Sequence, residues 1–303
     1  MDAENDITLQ IEISRQRPVA AGSVHNGIGS IGALLMDAGK LSAEDAERVL
    51  RLQKTEGIRF GEAALRLKLV AEADIQYALS RQFDYPCLLA DEDDVSREIV
   101  AAYQPFSPQV EALRAVRSQL MLRRFTDENS GKALAIVSPE RHEGRSYIAA
   151  NLAVVFSQLG ERTLLIDADM RFPRQHELFK LENQVGLSSY LAGRTAIPDI
   201  HRITALMGLS VMPAGPTPPN PQEILARPRF ASLLESAGWE YDVILIDTSA
   251  GGTAADAQTV ASRAGGALMV ARNNQTQARL ARGLADSLAS ANVPLVGSVL
   301  NKA

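Results

Sequence analysis

Two aspartates two residues apart close the apolar run in "RTLLIDADMR", so Asp167 and Asp169 leave a strand pointing the same way. A third, Asp247, closes another apolar run in "YDVILIDTS". Upstream, "SPERHEGRSYIAANLA" sets Gly144, Arg145 and Ser146 between an apolar run and a helical stretch. Glycine lets the backbone approach a bound group closely. A strand-to-helix turn offers N–H groups and the positive end of the helix dipole to a phosphate. The Ser146 hydroxyl suits magnesium, and so do paired carboxylates beside it, because this ion takes oxygen ligands and keeps several waters. One carboxylate of the pair could also accept the proton of an attacking hydroxyl. At the end of "VGSVLNK", Asn301 carries both a donor and an acceptor for a purine edge. Each feature also has a plainer reading. The loop could be a polar turn, Asp167 and Asp169 solvated loop acids, Asp247 a helix N-cap, and Asn301 a polar strand terminus. Against G-x-x-x-x-G-K-[ST], Pro139 replaces the first glycine and Arg145 the lysine.

The elements that must position these residues follow from hydrophobic pattern. From Lys132 onward, short apolar runs alternate with helical stretches. "ALAIVS" precedes a helix over about 145–159, "LSVMPAG" one over about 221–237, "YDVILIDTS" one over about 254–264 and "GALMVAR" one over about 276–291. The runs lack polar alternation, which predicts strands buried on both faces. The fold class is therefore α/β, a mostly parallel sheet covered by helices. In such sheets ligands sit at the carboxyl ends of the strands, where the three aspartates and the glycine turn fall.

A different pattern precedes it. Residues 31 to 53, "IGALLMDAGKLSAEDAERVLRLQ", align with residues 60 to 82, "FGEAALRLKLVAEADIQYALSRQ", at a period of 29. Gly32 matches Gly61, Asp45 matches Asp74, Leu50 matches Leu79 and Gln53 matches Gln82. Each copy reads as short helix, turn, longer helix, with Ser42 an N-cap and Asp45 at the reciprocal capping-box position. The expected organisation is a flexible tail over 1–27, a small all-α repeat domain over 28–90, an acidic and proline-bearing linker over 91–108, and the α/β domain over 109–303.

Composition bounds the function. The 303 residues are 46% hydrophobic and 22% charged, as in soluble globular proteins. A net charge of −5 supplies no basic field for nucleic acid. Cys87 is the single cysteine, so no internal disulfide forms; followed by two leucines, it reads as a small buried residue. No secretory signal and no membrane-spanning run is evident. The expectation is a cytoplasmic protein that reaches a membrane only through a partner.

In order, "SPERHEGRSYIAANLA", "LLIDADMR" and "VILIDTS" resemble the Walker A, A′ and B segments of the bacterial tyrosine kinases that regulate capsule and exopolysaccharide synthesis. "GLSSYLAG" and "PAGPTPPNPQEIL" are similar to that family too, and "EALRAVR" matches its E-x-x-R-x-x-R subunit contact. The resemblance covers about 106–303, and the subgroup it points to is the exopolysaccharide chain-length-determinant kinases. It implies a P-loop fold, ATP and Mg2+, and phosphoryl transfer to tyrosine. By position, His142, Glu143, Gly144, Arg145, Ser146, Tyr147, Arg171 and Asn301 would contact the nucleotide. Ser146, Asp167 and Asp247 would hold the metal, and Arg145, Asp167 and Asp169 would act in catalysis. Glu111, Arg114 and Arg117 would join subunits, and the partner would be a membrane polysaccharide co-polymerase, or chain-length determinant, at the inner membrane. For the triplet, the plainer reading is a solvated helix face with a local ion pair.

Two departures stand out. Arginine is wider and planar where lysine is a compact point charge. The family's tyrosine-rich tail has no counterpart, because none of the six tyrosines lies beyond Tyr241. The expectation is that either the substrate tyrosine lies elsewhere or the protein is an ATP-driven switch rather than an autokinase. The repeat, in turn, resembles the front helical domain of type II secretion and pilus ATPases, some of which bind cyclic di-GMP through paired Arg-Leu-Gly motifs. Here Arg59, Phe60 and Gly61 fill one motif, but Ser30 replaces the other arginine and Lys68 stands where the first copy keeps Gly39. Protein docking is the favoured expectation and cyclic di-GMP the lesser one. Two alternatives compete with the kinase: a weak pseudokinase acting as an ATP-gated scaffold, and a positioning ATPase of the MinD/ParA type. The second type carries a signature lysine five residues before the loop lysine, where this chain has Glu140.

Overall fold

The computed structural model describes residues 30–82, 86–88, 92–126, 131–252 and 255–302; the expected tail over 1–27 lies outside them. Helices α1 (Ile31–Asp37), α2 (Ala43–Glu56), α3 (Phe60–Arg66) and α4 (Glu72–Gln82) form a helical unit with its own core. Short helix α5 (Val100–Tyr103) and α6 (Pro108–Arg123) lead to strand β1 (Ala133–Val137) and helix α7 (Arg145–Ser157). Next come β2 (Thr163–Asp167), α8 (Gln175–Leu178), α9 (Leu187–Leu191), β3 (His201–Arg202) and β4 (Leu209–Met212). Helices α10 (Pro221–Leu225) and α11 (Pro228–Glu240) precede β5 (Val243–Asp247). The chain closes with α12 (Asp256–Ala264), β6 (Ala267–Arg272), α13 (Ala278–Ser290) and β7 (Leu295–Asn301).

The sheet runs β3-β4-β2-β5-β1-β6-β7. Every neighbouring pair is parallel except β3–β4. Strand β3 is an edge of two residues that the hydrophobic pattern could not reveal. Side chains of the inner strands alternate between two cores. Leu134, Ile136, Leu165 and Leu245 face α6 and α7, while Ala135, Val137, Ile166 and Ile246 face α11 and α12. Burial on both sides explains the unbroken apolar runs. The helix expected over about 221–237 is two helices. Pro228 lacks an N–H to continue the first and instead sits at the start of the second, where that donor would be unused.

The segment expected as a linker is packed where it is described. Val95, Ile99, Ala101 and Ala102 are buried in the core under α7. Fully buried Asn151 of α7 holds it, accepting from the Ala101 N–H at 3.0 Å and donating to the Glu98 carbonyl at 3.1 Å. Asp93, Asp94 and Glu98 face water while Val95, Ile99, Ala101 and Ala102 face the core. Cys87 is half-buried, not fully buried, with Sγ 2.7 Å from the buried Ser80 hydroxyl; burial pushes its thiol upward.

The repeat is visible in the helical unit. Ser42 caps α2 and its hydroxyl donates to Asp45. In the second copy Ala71 cannot cap, but Asp74 still accepts the Ala71 N–H at 2.8 Å, the other half of the capping box. The matched Gly39 and Lys68 both turn left-handed after the short helix, with φ of 67° and 55°. Only glycine adopts that conformation without strain. Lys68→Gly is therefore expected to stabilise this unit by about 0.5–1 kcal/mol, after allowance for glycine's greater freedom when unfolded. Thermal unfolding followed by circular dichroism reads the change, and a lower midpoint would refute it.

Candidate active site

Register brings the acids together. Asp167 of β2 lies beside Asp247 of β5, and Ile136 of β1 lies beside the same Asp247 on its other side. The turn from β1 into α7 therefore opens over these carboxylates. It bends tightly: His142 and Gly144 both have positive φ, 64° and 93°. At Gly144 a Cβ would collide with the Asn301 amide, so both conformation and space require glycine. Asn301 donates from Nδ2 to the Glu143 carbonyl at 3.1 Å, tying the end of β7 to the turn. Glu143 is buried; its carboxylate accepts from the Glu140 N–H at 2.8 Å and from the Thr276 hydroxyl. Arg272 donates to the His142 carbonyl at 3.1 Å. The turn is braced by β6 and β7 as well as by its own helix.

Arg145 opens α7, yet its guanidinium is buried and turned onto the acids. It donates to the Ser138 hydroxyl at 2.7 Å and to Asp169 Oδ2 at 3.0 Å. Its Nε lies 3.4 Å from Asp247 Oδ1, a charge contact without the alignment of a hydrogen bond. Arg145 thus serves as counter-charge to two acids from different strands, a role that a single lysine ammonium could not fill with the same spread. Asp169 also accepts from the N–H groups of Arg171 and Phe172. Asp167 is fully buried. Its oxygens accept from the N–H groups of Asp169, Arg174 and Gln175, so it shapes the loop leading to α8. Burial pushes its carboxyl well above the ordinary range, and the neighbouring Asp247 adds to the rise. Asp247 is raised by burial too, against the opposing pull of Arg145, Gln175 and the Ser146 hydroxyl.

Arg171 clasps the buried Asp256 of α12 through two nitrogens, at 2.6 and 3.3 Å. Tyr147 packs half-buried against the core, and burial raises its hydroxyl. Of the residues expected at the site, the structure gathers Gly144, Arg145, Ser146, Asp167, Asp169 and Asp247 and hangs Glu143 and Asn301 on the turn. Arg171 is committed to Asp256. Sequence reading missed Ser138, Thr276, Asp256 and Gln175. Gln175 is fully buried, donating to Asp247 Oδ2 at 2.8 Å and to the Ser146 carbonyl at 3.1 Å. No spacing rule singles it out; a polar residue soon after the Asp167 and Asp169 pair was the available signal. On α6, Arg114 pairs with Glu111 at 3.0 Å, and Arg117 donates across to the Val155 carbonyl of α7 at 3.0 Å. The local ion pair of the plainer reading is present, and Arg117 also serves the fold.

Among the described residues no three acidic, histidine or cysteine side chains converge into a cage. Magnesium does not need one, because it is commonly held by one or two carboxylates with waters and phosphate oxygens. Asp247 Oδ1, buried with only the misaligned Arg145 Nε and the Ser146 hydroxyl near it, fits such an ion.

A parallel sheet with a glycine turn opening a helix above strand-end acids defines a P-loop nucleotide-binding protein. No family model matches the chain. CapB of Staphylococcus aureus is 39% identical over 202 residues, 66% of this chain and 86% of that protein. The tyrosine-protein kinase YwqD of Bacillus subtilis is 34% identical over 207 residues, 68% of this chain and 86% of its own length. The kinase domain of the Escherichia coli tyrosine kinase ETK superposes with a TM-score of 0.64 at 34% identity, covering 67% of this chain and 79% of that one. The chain belongs to the bacterial tyrosine-protein kinase family, as its motif order implied, and these relatives favour a kinase over the scaffold or positioning ATPase.

Proposed function

We propose that this chain transfers the γ-phosphoryl group of ATP to a protein tyrosine through the turn at Gly144–Ser146 and the acids around it. The observation that supports this most is the register that sets Asp167 beside Asp247 directly beneath the turn. The first-turn N–H groups of α7 and the guanidinium of Arg145 attract phosphate. Ser146 and Asp247 would hold magnesium, with Asp167 behind them; the ion, when bound, offsets the charge of the phosphate oxygens. Asp167 and Asp169 are the candidates for drawing the proton from the tyrosine hydroxyl. Burial and the neighbouring Asp247 raise the carboxyl of Asp167, which makes it the stronger base when ionised. Arg145 would leave Asp169 and Asp247 for the phosphate as the ion arrives, so that charge stays balanced in a dry site.

The family resemblance supports a role in exopolysaccharide chain-length control, with a membrane co-polymerase as partner on the cytoplasmic side of the inner membrane. Among the described residues no helix is long and apolar enough to cross a membrane. Exposed Glu111 and its neighbour Arg114 would meet a second copy, with Arg117 beneath them. The helical unit would dock a protein. For cyclic di-GMP, the first copy has Ser30, whose hydroxyl instead caps α1.

The test is phosphotyrosine formation on a synthetic Glu/Tyr copolymer, with ATP turnover followed in parallel, with and without the partner's cytoplasmic segment. The reading expects magnesium-dependent phosphotyrosine that disappears in Asp167→Asn. Tight ATP binding with no turnover under either condition would overturn it in favour of a nucleotide-gated scaffold.

A further inference from the structure

Gln175 is fully buried at the start of α8, yet it lies among the site acids and no motif accounts for it. Its amide faces Asp247 Oδ2 and the Ser146 carbonyl, both of which can only accept. The NH2 end must therefore face them, which occupies both of its hydrogens and turns Oε1 the other way. Oε1 is buried and has no hydrogen-bond donor among the described residues, and Asp247 Oδ1 has no well-aligned one, only the Arg145 Nε at 3.4 Å. A buried acceptor without a donor costs about 1–3 kcal/mol. Here the unpartnered Gln175 Oε1 and the poorly satisfied Asp247 Oδ1 belong to side chains that are hydrogen-bonded to each other, beside a serine hydroxyl. A donor beyond the described residues would satisfy both. Water on a divalent cation has the right chemistry, since its hydrogens are made more acidic by the ion and it accepts nothing in return.

We propose that Gln175 is a metal-positioning residue: its Oε1, together with Asp247 Oδ1, accepts hydrogen bonds from water bound to the divalent cation that accompanies the nucleotide. This rests on the nucleotide reading above and deepens it. Residues that orient a metal's ligands typically change its affinity about 10- to 100-fold when removed. Gln175 also ties the cation site to the loop that Asp167 shapes, because its own N–H donates to Asp167 Oδ2 at 2.9 Å.

The experiment uses the full chain, ADP as the nucleotide and Mn2+ as the cation, with free Mn2+ followed by electron paramagnetic resonance. Two variants separate the functions of the amide. Gln175→Met and Gln175→Glu both lose the NH2 donors, but only glutamate keeps acceptor oxygens. With ADP saturating, Gln175→Met is expected to bind Mn2+ about 10- to 100-fold more weakly and Gln175→Glu to recover most of that loss. ADP binding in chelator should be the same in both variants. Methionine binding Mn2+ as wild type does would overturn the proposal and leave Gln175 a purely structural bridge. So would glutamate performing no better than methionine in a folded protein. Wild type that binds ADP with no help from Mn2+ would instead overturn the metal-nucleotide reading itself, before any substitution is compared.

Discussion

Arg145→Ala is expected to lose both stability and reaction. Its guanidinium is the counter-charge for Asp169 and Asp247 in a site with almost no solvent contact. Removing one partner of a buried ion pair strands the other charge and costs about 3–5 kcal/mol. At about 2–4 °C per kcal/mol for a domain of this size, the melting midpoint falls by roughly 6–20 °C. Phosphotyrosine formation should fall by about 10³-fold or more, the usual loss when an arginine that meets the transferring phosphate is removed. Arg145→Lys separates the two effects. An ammonium reaches one acid but not Ser138, Asp169 and Asp247 together, so part of the stability is lost. It still attracts phosphate, so nucleotide binding should survive. Scanning calorimetry and ADP titration on the three proteins check this. An unchanged midpoint in Arg145→Ala would mean that the pair is not a stabilising element.

Asp247→Asn is expected to give a more stable protein that does not transfer phosphate. Burial raises the Asp247 carboxyl despite Arg145, so the folded protein holds a proton there more readily than the unfolded chain does. The sign follows from that difference. For a carboxyl raised in the fold, wild-type stability is greatest below the ordinary carboxylate value of about 4 and falls as pH climbs towards the raised one. Asparagine removes this penalty, and its side-chain oxygen can still accept from Gln175. The midpoint gain of Asp247→Asn should be near zero at about pH 4 and grow towards neutrality. Activity should drop by about 10²–10³-fold for loss of a charged group that faces the reacting phosphate. Unfolding curves across pH 4 to 8 decide it, since a variant less stable than wild type at pH 8 contradicts the assignment. The opposite signs for Arg145 and Asp247 are themselves diagnostic: the site carries more buried negative than positive charge.

Much of this was legible in the residues. The apolar runs without alternation specified strands buried on both faces, and period 29 specified a doubled helical motif, because these depend on local pattern alone. The glycine turn and the strand-end aspartates identified where chemistry would sit, since strand ends in a parallel sheet share one edge. Pro228 marked a helix boundary that the apolar pattern ran across, and its missing N–H was the available clue. Other features belong to the tertiary structure. That Arg145 turns inward depends on β2 and β5 being neighbours, a pairing set by strand order and not by spacing along the chain. Gln175 enters the site because Asp167 holds the N–H groups of the loop that carries it. Arg171 leaves for Asp256 because α12 packs where its guanidinium can reach. Sequence determined which groups this protein has and which element each one ends. Only the fold decided which charges face one another, because the energy of a buried charge is fixed by neighbours distant in the chain.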